Sequence, residues 1–149
     1  MEAPQDPVYR RSNGAEKGRD GCRVPLPWTV DGSSYGFGDD GAHLPQPAWF
    51  AEHAVDVQDG AQDSMLELYR AALALRHRLH TDPGLEWRDS GPEVLHFERT
   101  GGWHVVVNLG TASAPLPAGE VLLTSAPLAG RMLPPDAAAW IRGSGTVTG

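Results

Sequence analysis

The hydrophobic positions of this chain fall into three stretches that differ in their spacing. In the middle stretch they recur every three to four residues, which predicts an amphipathic helix over 64–80. Ser64 and Glu67 occupy the positions of a capping box at its start, and Asp82-Pro83-Gly84 ends it. The stripe that defines the helix consists of Met65, Leu68, Tyr69, Ala72, Leu75, Arg76 and Leu79.

In the last stretch, after Gly84, hydrophobic and polar positions alternate with a period of two, which is typical of half-buried strands. Thr100-Gly101-Gly102 stands between two such runs and predicts a hairpin, because glycine tolerates the positive φ of tight turns. Several short strands with turn signals between them indicate an antiparallel sheet or sandwich. The predicted strands are 94–99, 103–109, 120–125 and 138–142.

The first stretch, residues 1 to about 62, follows neither spacing. It nevertheless holds aromatic residues and a proline-bracketed apolar run, Val24 to Trp28, and disordered chains are poor in aromatics. We therefore predict a long, ordered loop that lies on another surface, with short helical turns around 49–57. The predicted organisation of the chain is a loop region over 1–62, a helix within 63–82, a β-domain over 85–143 and a frayed tail over 144–149.

Composition narrows the class of protein. The 149 residues suit one domain of ordinary size with room for an appended half-domain, and 18 Gly and 13 Pro indicate many loops. A net charge of -7 argues against a general nucleic-acid binder, since phosphates repel such a surface. No apolar run suits a membrane helix or a secretory leader, so we expect a cytoplasmic protein without a membrane partner.

Histidine and cysteine are the first candidates for chemistry. His77 and His80 lie three apart on the predicted helix, without a third ligand at a usual metal spacing. His96 and His104 lie on facing strands, and we interpret them as a cross-strand pair on the solvated side rather than as a site. The single cysteine, Cys22, excludes a disulfide framework and favours a small packing role over a catalytic thiol. We expect neither a metal nor a cofactor.

The most specific motif is the segment Gly18 to Trp28, Gly-Arg-Asp-Gly-Cys-Arg-Val-Pro-Leu-Pro-Trp. It closely resembles the Gly-Arg-Asp-x-x-Arg-x-Pro-x-x-Trp block of α-glucosidases in the α-amylase superfamily (glycoside hydrolase family 13), in its bacterial, oligo-1,6-glucosidase-like form. Asp6-Pro7 precedes the block, and Gly36-Phe37 and Leu44 to Pro47 follow it, in the order of that family. The resemblance covers residues 4–80 well and the remainder by architecture.

This resemblance implies a fold. In the family a (β/α)8 barrel carries catalysis, and an antiparallel β-domain follows its eighth helix. The chain is then an α+β fragment: the last loop and helix of a (β/α)8 barrel, followed by an antiparallel β-sandwich C-terminal domain. The upstream barrel portion is the partner that such a fragment lacks.

The resemblance also implies a site. The family's arginine at the position of Arg23 pairs with an upstream aspartate and binds the terminal glucose, and an Arg–carboxylate fork suits a vicinal pair of hydroxyls. Arg19 and Asp20 are expected to shape the loop rather than to touch sugar. Trp28 is expected either to stack on a sugar or to pack the loop. The hypothesis would be contradicted if the segment Gly18 to Trp28, called the arm below, were folded into a self-sufficient core with Arg23 neutralised by a local acid.

The expected activity belongs to the intact enzyme, which would hydrolyse terminal α-linked glucose from oligosaccharides with retention. Retaining glycosidases need two carboxyl groups about 5 Å apart, and the resemblance places the catalytic acids upstream. We therefore expect no catalytic residue in this chain and no activity from it alone. Two alternatives stay open: a stand-alone sugar-binding or interaction module, and a chain that completes a barrel in trans.

Overall fold

The computed structural model describes residues 6–42, 44–79 and 83–143. The chain divides into two compact units, Met1–Glu67 and Leu68–Gly149. The predicted frayed tail over 144–149 lies outside the described residues, as do Asp82 and His80.

The first unit is built from short helical turns joined by loops. Its α-helices are α1 (Pro7–Arg11) and α2 (Val55–Gln58). Three 3₁₀ turns accompany them: Asp20–Cys22, Ser33–Gly36 and Ala48–His53. The helical turns predicted around 49–57 are confirmed, whereas α1 was not predicted, because five residues are too few to show a period.

The predicted helix over 64–80 is confirmed as α3 (Met65–Leu79). Ser64 caps it, since its Oγ accepts a hydrogen bond from the Glu67 N–H at 3.2 Å. The predicted capping box is wrong in one detail. The Ser64 N–H donates to the Ala61 carbonyl, and Glu67 Oε1 accepts from the Gly60 N–H at 3.1 Å. The glutamate thus binds the loop that precedes the cap.

The described residues of the second unit form the strands β1 (Leu85–Trp87), β2 (Val94–Arg99), β3 (Trp103–Asn108), β4 (Ala114–Pro115), β5 (Gly119–Thr124), β6 (Met132–Leu133) and β7 (Ala137–Gly143). They make up a five-stranded antiparallel sheet in the order β1-β2-β3-β7-β5 and a two-stranded ribbon of β4 and β6. All four predicted strands and the glycine hairpin between β2 and β3 are confirmed, with Gly101 and Gly102 at positive φ. The three shortest strands, β1, β4 and β6, were not predicted.

One face of the five-stranded sheet carries the core. Val106 lies opposite Ala139 in the register of β3 and β7, so their side chains share a face. Leu133 of the ribbon and Leu116, just after β4, cover that face, which explains why Val106 and Leu133 are almost wholly buried. Residues of α3 and of the other face line a common groove, among them Ala72 of α3 and Trp140 of β7, and Leu75 of α3 is buried.

The histidine pair lies on the core face, which corrects one sequence-based interpretation. His96 is opposite Val106 and only 7% exposed, so it is not on a solvated side. Its Nε2 lies 3.2 Å from Nδ1 of His104, and its Nδ1 lies 2.6 Å from Oγ of Ser90. Burial is the main cause that lowers the pKa of His96, and the charges of His104 and Arg88 lower it further.

A buried asparagine closes the turn after β3. The Asn108 side-chain amide donates to the carbonyls of Ala112, Leu133 and Pro134, and its Oδ1 accepts from the Gly110 N–H. Buried amides require such partners. Asn108 therefore ties the sheet to the ribbon by polar contacts inside an apolar core.

None of the helices in the described ranges has the length and apolar character needed to cross a bilayer.

Candidate functional site

The loop that carries the Gly18 to Trp28 motif, called the motif loop, closes around the buried carboxylate of Asp6. Asp6 is 2% exposed and caps α1, because its Oδ1 accepts from the Val8 N–H at 2.8 Å. Pro7 follows at the first helical position, where its missing N–H does no harm. Oδ2 of Asp6 accepts from the Arg19 N–H at 3.0 Å. One side chain thus joins two segments that are thirteen residues apart.

The Gly-Arg-Asp order of the motif follows from this closure. Gly18 has a φ of +69°, and a Cβ at this position would lie 2.5 Å from Cγ of Asp6, so only glycine fits. Asp20 returns the contact, since its Oδ2 accepts from the backbone N–H of Asp6 at 2.9 Å. The two aspartates therefore hold the loop from both sides.

The charge of Asp6 is favoured by its partners. The backbone hydrogen bonds from Arg19 and Val8 are the main causes that lower the pKa of Asp6, and the charges of Arg23 and Arg19 add to them. Burial works in the opposite direction. The carboxylate is consequently an ionised anchor for the loop.

Arg23 is partly held and partly free to bind. It follows the Asp20–Cys22 turn, and its backbone N–H donates to the Asp20 carbonyl at 2.9 Å. Its Nη1 lies 3.4 Å from Oδ2 of Asp6. The Arg23 side chain remains 48% exposed, however, against 3% for that of Asp6. Donors of the guanidinium therefore still face solvent.

Asp6 is a local acid for Arg23, and the sequence pattern did not predict this contact. The Asp6-Pro7 pair at a helix start was the signal that could have found it. Arg23 does contact a local carboxylate, but the segment Gly18 to Trp28 is not folded into a self-sufficient core, because Leu26 is 67% exposed and Trp28 is half exposed. Elsewhere in the first unit Phe37 and Trp49 are exposed as well.

The arm that ends at Trp28 is held by its backbone. The Trp28 N–H donates to the Tyr35 carbonyl at 2.7 Å, and the Trp28 carbonyl accepts from the Asp56 N–H. Gln46 Nε2 donates to the Pro25 carbonyl at 3.0 Å. The indole itself is half exposed. The arm is thus fixed while its apolar side chains stay uncovered.

The structure brings Arg19, Asp20 and Arg23 together around Asp6. No hydrogen bond, ion pair or ring contact in the described part of the chain joins Trp28 to Arg23. Cys22, beside them, is exposed, which contradicts the packing role expected for it. Within residues 6–42, 44–79 and 83–143, no three potential metal ligands cluster.

A family model described as a domain of unknown function (DUF3459) matches residues 83–140, which hold most of the five-stranded sheet. No curated protein sequence matches the chain significantly.

Solved structures match both units. The chain is 32% identical to an α-glucosyl transfer enzyme, XgtA, over 85% of its own length and 26% of that chain, with a TM-score of 0.66. It is 26% identical to the trehalulose synthase MutB from Pseudomonas mesoacidophila MX-45, over 88% and 27%, with a TM-score of 0.66. The isomaltulose synthase PalI from Klebsiella sp. LX3 shares the fold at 23% identity, over 91% and 29%, with a TM-score of 0.67. The chain thus spans less than a third of the length of each.

Proposed function

We propose a function for this chain, which belongs to the α-amylase superfamily as the C-terminal part of an α-glucosidase-like protein of glycoside hydrolase family 13. In the intact enzyme the chain completes the glucose-binding site, and Arg23 contacts the terminal glucose. The first unit and α3 form the last loop and helix of the barrel. The reaction is the hydrolysis of terminal α-linked glucose with retention.

The arrangement of Arg23 carries this proposal. Its guanidinium is fixed on one side by Asp6, at 3.4 Å, and is half exposed on the other. A planar fork held in this way can donate two parallel hydrogen bonds to adjacent hydroxyl oxygens. Arg19 and Asp20 hold the loop through backbone contacts, which supports their role in shaping it. Trp28 is proposed to lie against the barrel or the sugar with its exposed indole.

Exposed apolar side chains of the first unit support a barrel partner. Leu26, Trp28, Phe37 and Trp49 are exposed in a unit whose backbone is anchored by hydrogen bonds. Large apolar side chains that an ordered unit leaves uncovered are typical of an interaction surface. The upstream barrel would cover them and bring the catalytic carboxylates that retention requires.

Glucosyl transfer is a second candidate for the same site. XgtA, at 32% identity, is an α-glucosyl transfer enzyme. In both reactions the terminal glucose occupies the same subsite, and the outcome depends on whether water or another hydroxyl accepts it. Arg23 would serve both.

A chimera tests the proposal. This chain replaces the matching part of XgtA, and the release of glucose from a nitrophenyl α-glucoside is measured with and without an added sugar acceptor. We expect the retained α-anomer of glucose, and the ratio of transfer to hydrolysis separates the two candidates. Arg23→Ala should lower kcat/KM by about ten- to a hundredfold, the effect of losing hydrogen bonds to a charged donor.

The control is Arg10→Ala, an exposed arginine at the end of α1 outside the motif. It should leave kcat/KM unchanged. Full activity of the Arg23→Ala chimera would refute the proposed contact. Restoration of activity only by mixing with a separate barrel would instead support the in-trans alternative, and an inactive chimera together with maltose or isomaltose binding by the chain alone would support the stand-alone sugar-binding module.

A further inference from the structure

The core face of the sheet in the second unit becomes polar at its β1 edge. The register places Glu98 of β2 opposite both Glu86 of β1 and His104 of β3, so these three side chains share a face. His96 is two residues before Glu98 and lies on the same face. The Arg88 N–H, just after β1, donates to the His96 carbonyl at 2.9 Å. Titratable groups from three neighbouring segments therefore meet at the edge of an apolar core.

The two histidines are confined within this edge. Nδ1 of His96 lies 2.6 Å from Oγ of Ser90, and Nε2 of His96 lies 3.2 Å from Nδ1 of His104. The far side of His104 is closed as well, because a Cβ on Gly143 would lie 3.0 Å from its Nε2. Each ring is thus held between two neighbours, with His96 the more deeply buried of the two.

The number of protons on the two rings decides whether they can stay in contact. A neutral imidazole has one N–H and one acceptor nitrogen, whereas a charged imidazole has two N–H groups and no acceptor. With one charged ring, Nε2 of His96 and Nδ1 of His104 can still share a hydrogen. With two charged rings, two N–H groups face each other across 3.2 Å, and the hydrogen bond is lost. A second proton therefore breaks the contact and adds repulsion between like charges.

The surrounding groups also act against a second charge. Burial is the main cause that lowers the pKa of His96, followed by the charges of His104 and Arg88, whereas Glu98 acts in the opposite direction. Oε2 of Glu98 already accepts from Arg88 at 2.6 Å, and Glu86 pairs with the same guanidinium at 3.0 Å. The other elements on this face, β7 and the ribbon, place apolar side chains there: Ala137, Ala139, Ile141 and Leu133.

We propose that the contact of Ser90, His96 and His104 is a pH-sensitive latch, which holds residues 85–93 on the core face and releases them when both rings are charged. Residues 85–93 are all exposed, and β1 forms an edge of the sheet that is paired with β2 alone. Few buried contacts hold such a segment in place. Its release lets water reach the charged ring of His96. The latch concerns the fold of the second unit and does not depend on the proposed function.

Amide hydrogen exchange of the whole chain, followed by nuclear magnetic resonance between pH 7.5 and pH 5, tests the latch. The reporter is the Arg88 N–H, because its hydrogen bond to His96 breaks when the segment is released. Its protection is the intrinsic exchange rate at each pH divided by the measured rate. Release takes up a proton, so protection should fall by about tenfold for each pH unit below 6.5.

Urea separates this local release from unfolding of the whole sheet. Below the unfolding transition, urea should hardly change the protection of the Arg88 N–H, because release of an exposed edge strand exposes little new surface. The amides shared by β3 and β7 should start from higher protection and lose it steeply with urea. If the Arg88 N–H instead matches those amides in protection and in urea dependence, no separate release exists and the proposal is overturned.

Histidine variants identify the groups that take up the proton. His96→Gln should abolish the pH dependence at Arg88. His104→Gln should make it shallower, because a glutamine oxygen can accept from a charged His96, and this variant decides the question if His96→Gln does not fold. The control is His77→Gln, an exposed histidine of α3, which should keep the parental dependence. Protection at Arg88 that ignores pH, or a full pH dependence in His104→Gln, would overturn the latch.

Discussion

Each of the two units of this chain is stabilised internally by a different kind of interaction. In the second unit the buried apolar residues form one cluster across the sheet and the ribbon, including Val106, Leu133 and Ile141. In the described part of the first unit the buried hydrophobic residues are Leu44 and Ala54, and order comes from backbone turns and capping carboxylates. The apolar core stabilises one unit, while local polar contacts shape the other.

Stability and recognition therefore depend on different units of the chain. A core of apolar side chains contributes most of the free energy of folding, and a loop held by hydrogen bonds presents its side chains to a partner. The proposed glucose contact, Arg23, is accordingly on the unit with few buried apolar residues. Four substitutions test this contrast between the two units.

The largest effect is expected in the core of the second unit. Ile141 is fully buried and packs among Val106, Leu133 and Ala139. Ile141→Ala removes three carbon atoms and leaves a cavity, which should lower the free energy of unfolding by about 2–5 kcal/mol. Chemical denaturation followed by circular dichroism measures this change.

The matched control is Leu26→Ala in the first unit, a large apolar side chain that is 67% exposed. Its effect should stay within about 0.5 kcal/mol, as for surface substitutions in general. Equal losses at Ile141 and Leu26 would show that the arm is part of a shared core and would remove the contrast.

The next effect concerns the polar contact inside the core. Asn108→Ala leaves buried partners of the amide unsatisfied, among them the Leu133 carbonyl and the Gly110 N–H. Thermal melting should show a loss of about 1–3 kcal/mol. Ser113→Ala, at an exposed position of the same turn, serves as the control and should melt like the parent. A parental melting temperature for Asn108→Ala would mean that water replaces these bonds.

The sequence predicted the elements whose pattern is long enough to repeat. Helix α3 and the four longer strands follow from periodicity, since each covers at least one full repeat of its spacing. The ribbon strands β4 and β6 have two residues each, and β1 has three, so no period was visible. Their pairing depends on distant partners, as Ala114 opposite Leu133 shows.

The candidate glucose site, like the fold, was predicted in part from the sequence. The motif pointed to Arg23, Arg19 and Asp20 by resemblance, whereas Asp6 was noted only as a flanking residue. Its role depends on a contact across thirteen residues with the Arg19 N–H, which no local pattern encodes. The burial of His96 was missed for the same reason, because alternation along β2 gives no indication of which face is covered.

A smaller, pH-dependent effect is expected at His96. Its pKa in the folded chain is lower than 6.5, mainly because burial disfavours the charged ring. Below pH 6.5 the unfolded chain therefore binds a proton before the folded chain does, and stability falls as the pH falls, by at most about 1.4 kcal/mol per pH unit. Melting curves between pH 7 and pH 5 measure this slope.

His96→Gln should flatten the slope, because the titrating group is gone. The control is His53→Gln, an exposed histidine of the first unit, which should keep the parental slope. A slope that survives the loss of His96 would assign the acid sensitivity to another group and would separate it from the core of the second unit.

The smallest change in global melting is expected at the anchor of the first unit. Asp6→Asn keeps the shape of the side chain but removes the charge that faces Arg23 at 3.4 Å and weakens the bonds from Val8 and Arg19. Because the sheet carries most of the buried core, the melting temperature should change little, while the amide signals of the motif loop shift and exchange with solvent faster. The exposed Asp31→Asn serves as the control. Faster exchange in β3 and β7 of the Asp6→Asn chain would contradict this expectation, because it would mean that the loop and the sheet unfold as one cooperative unit.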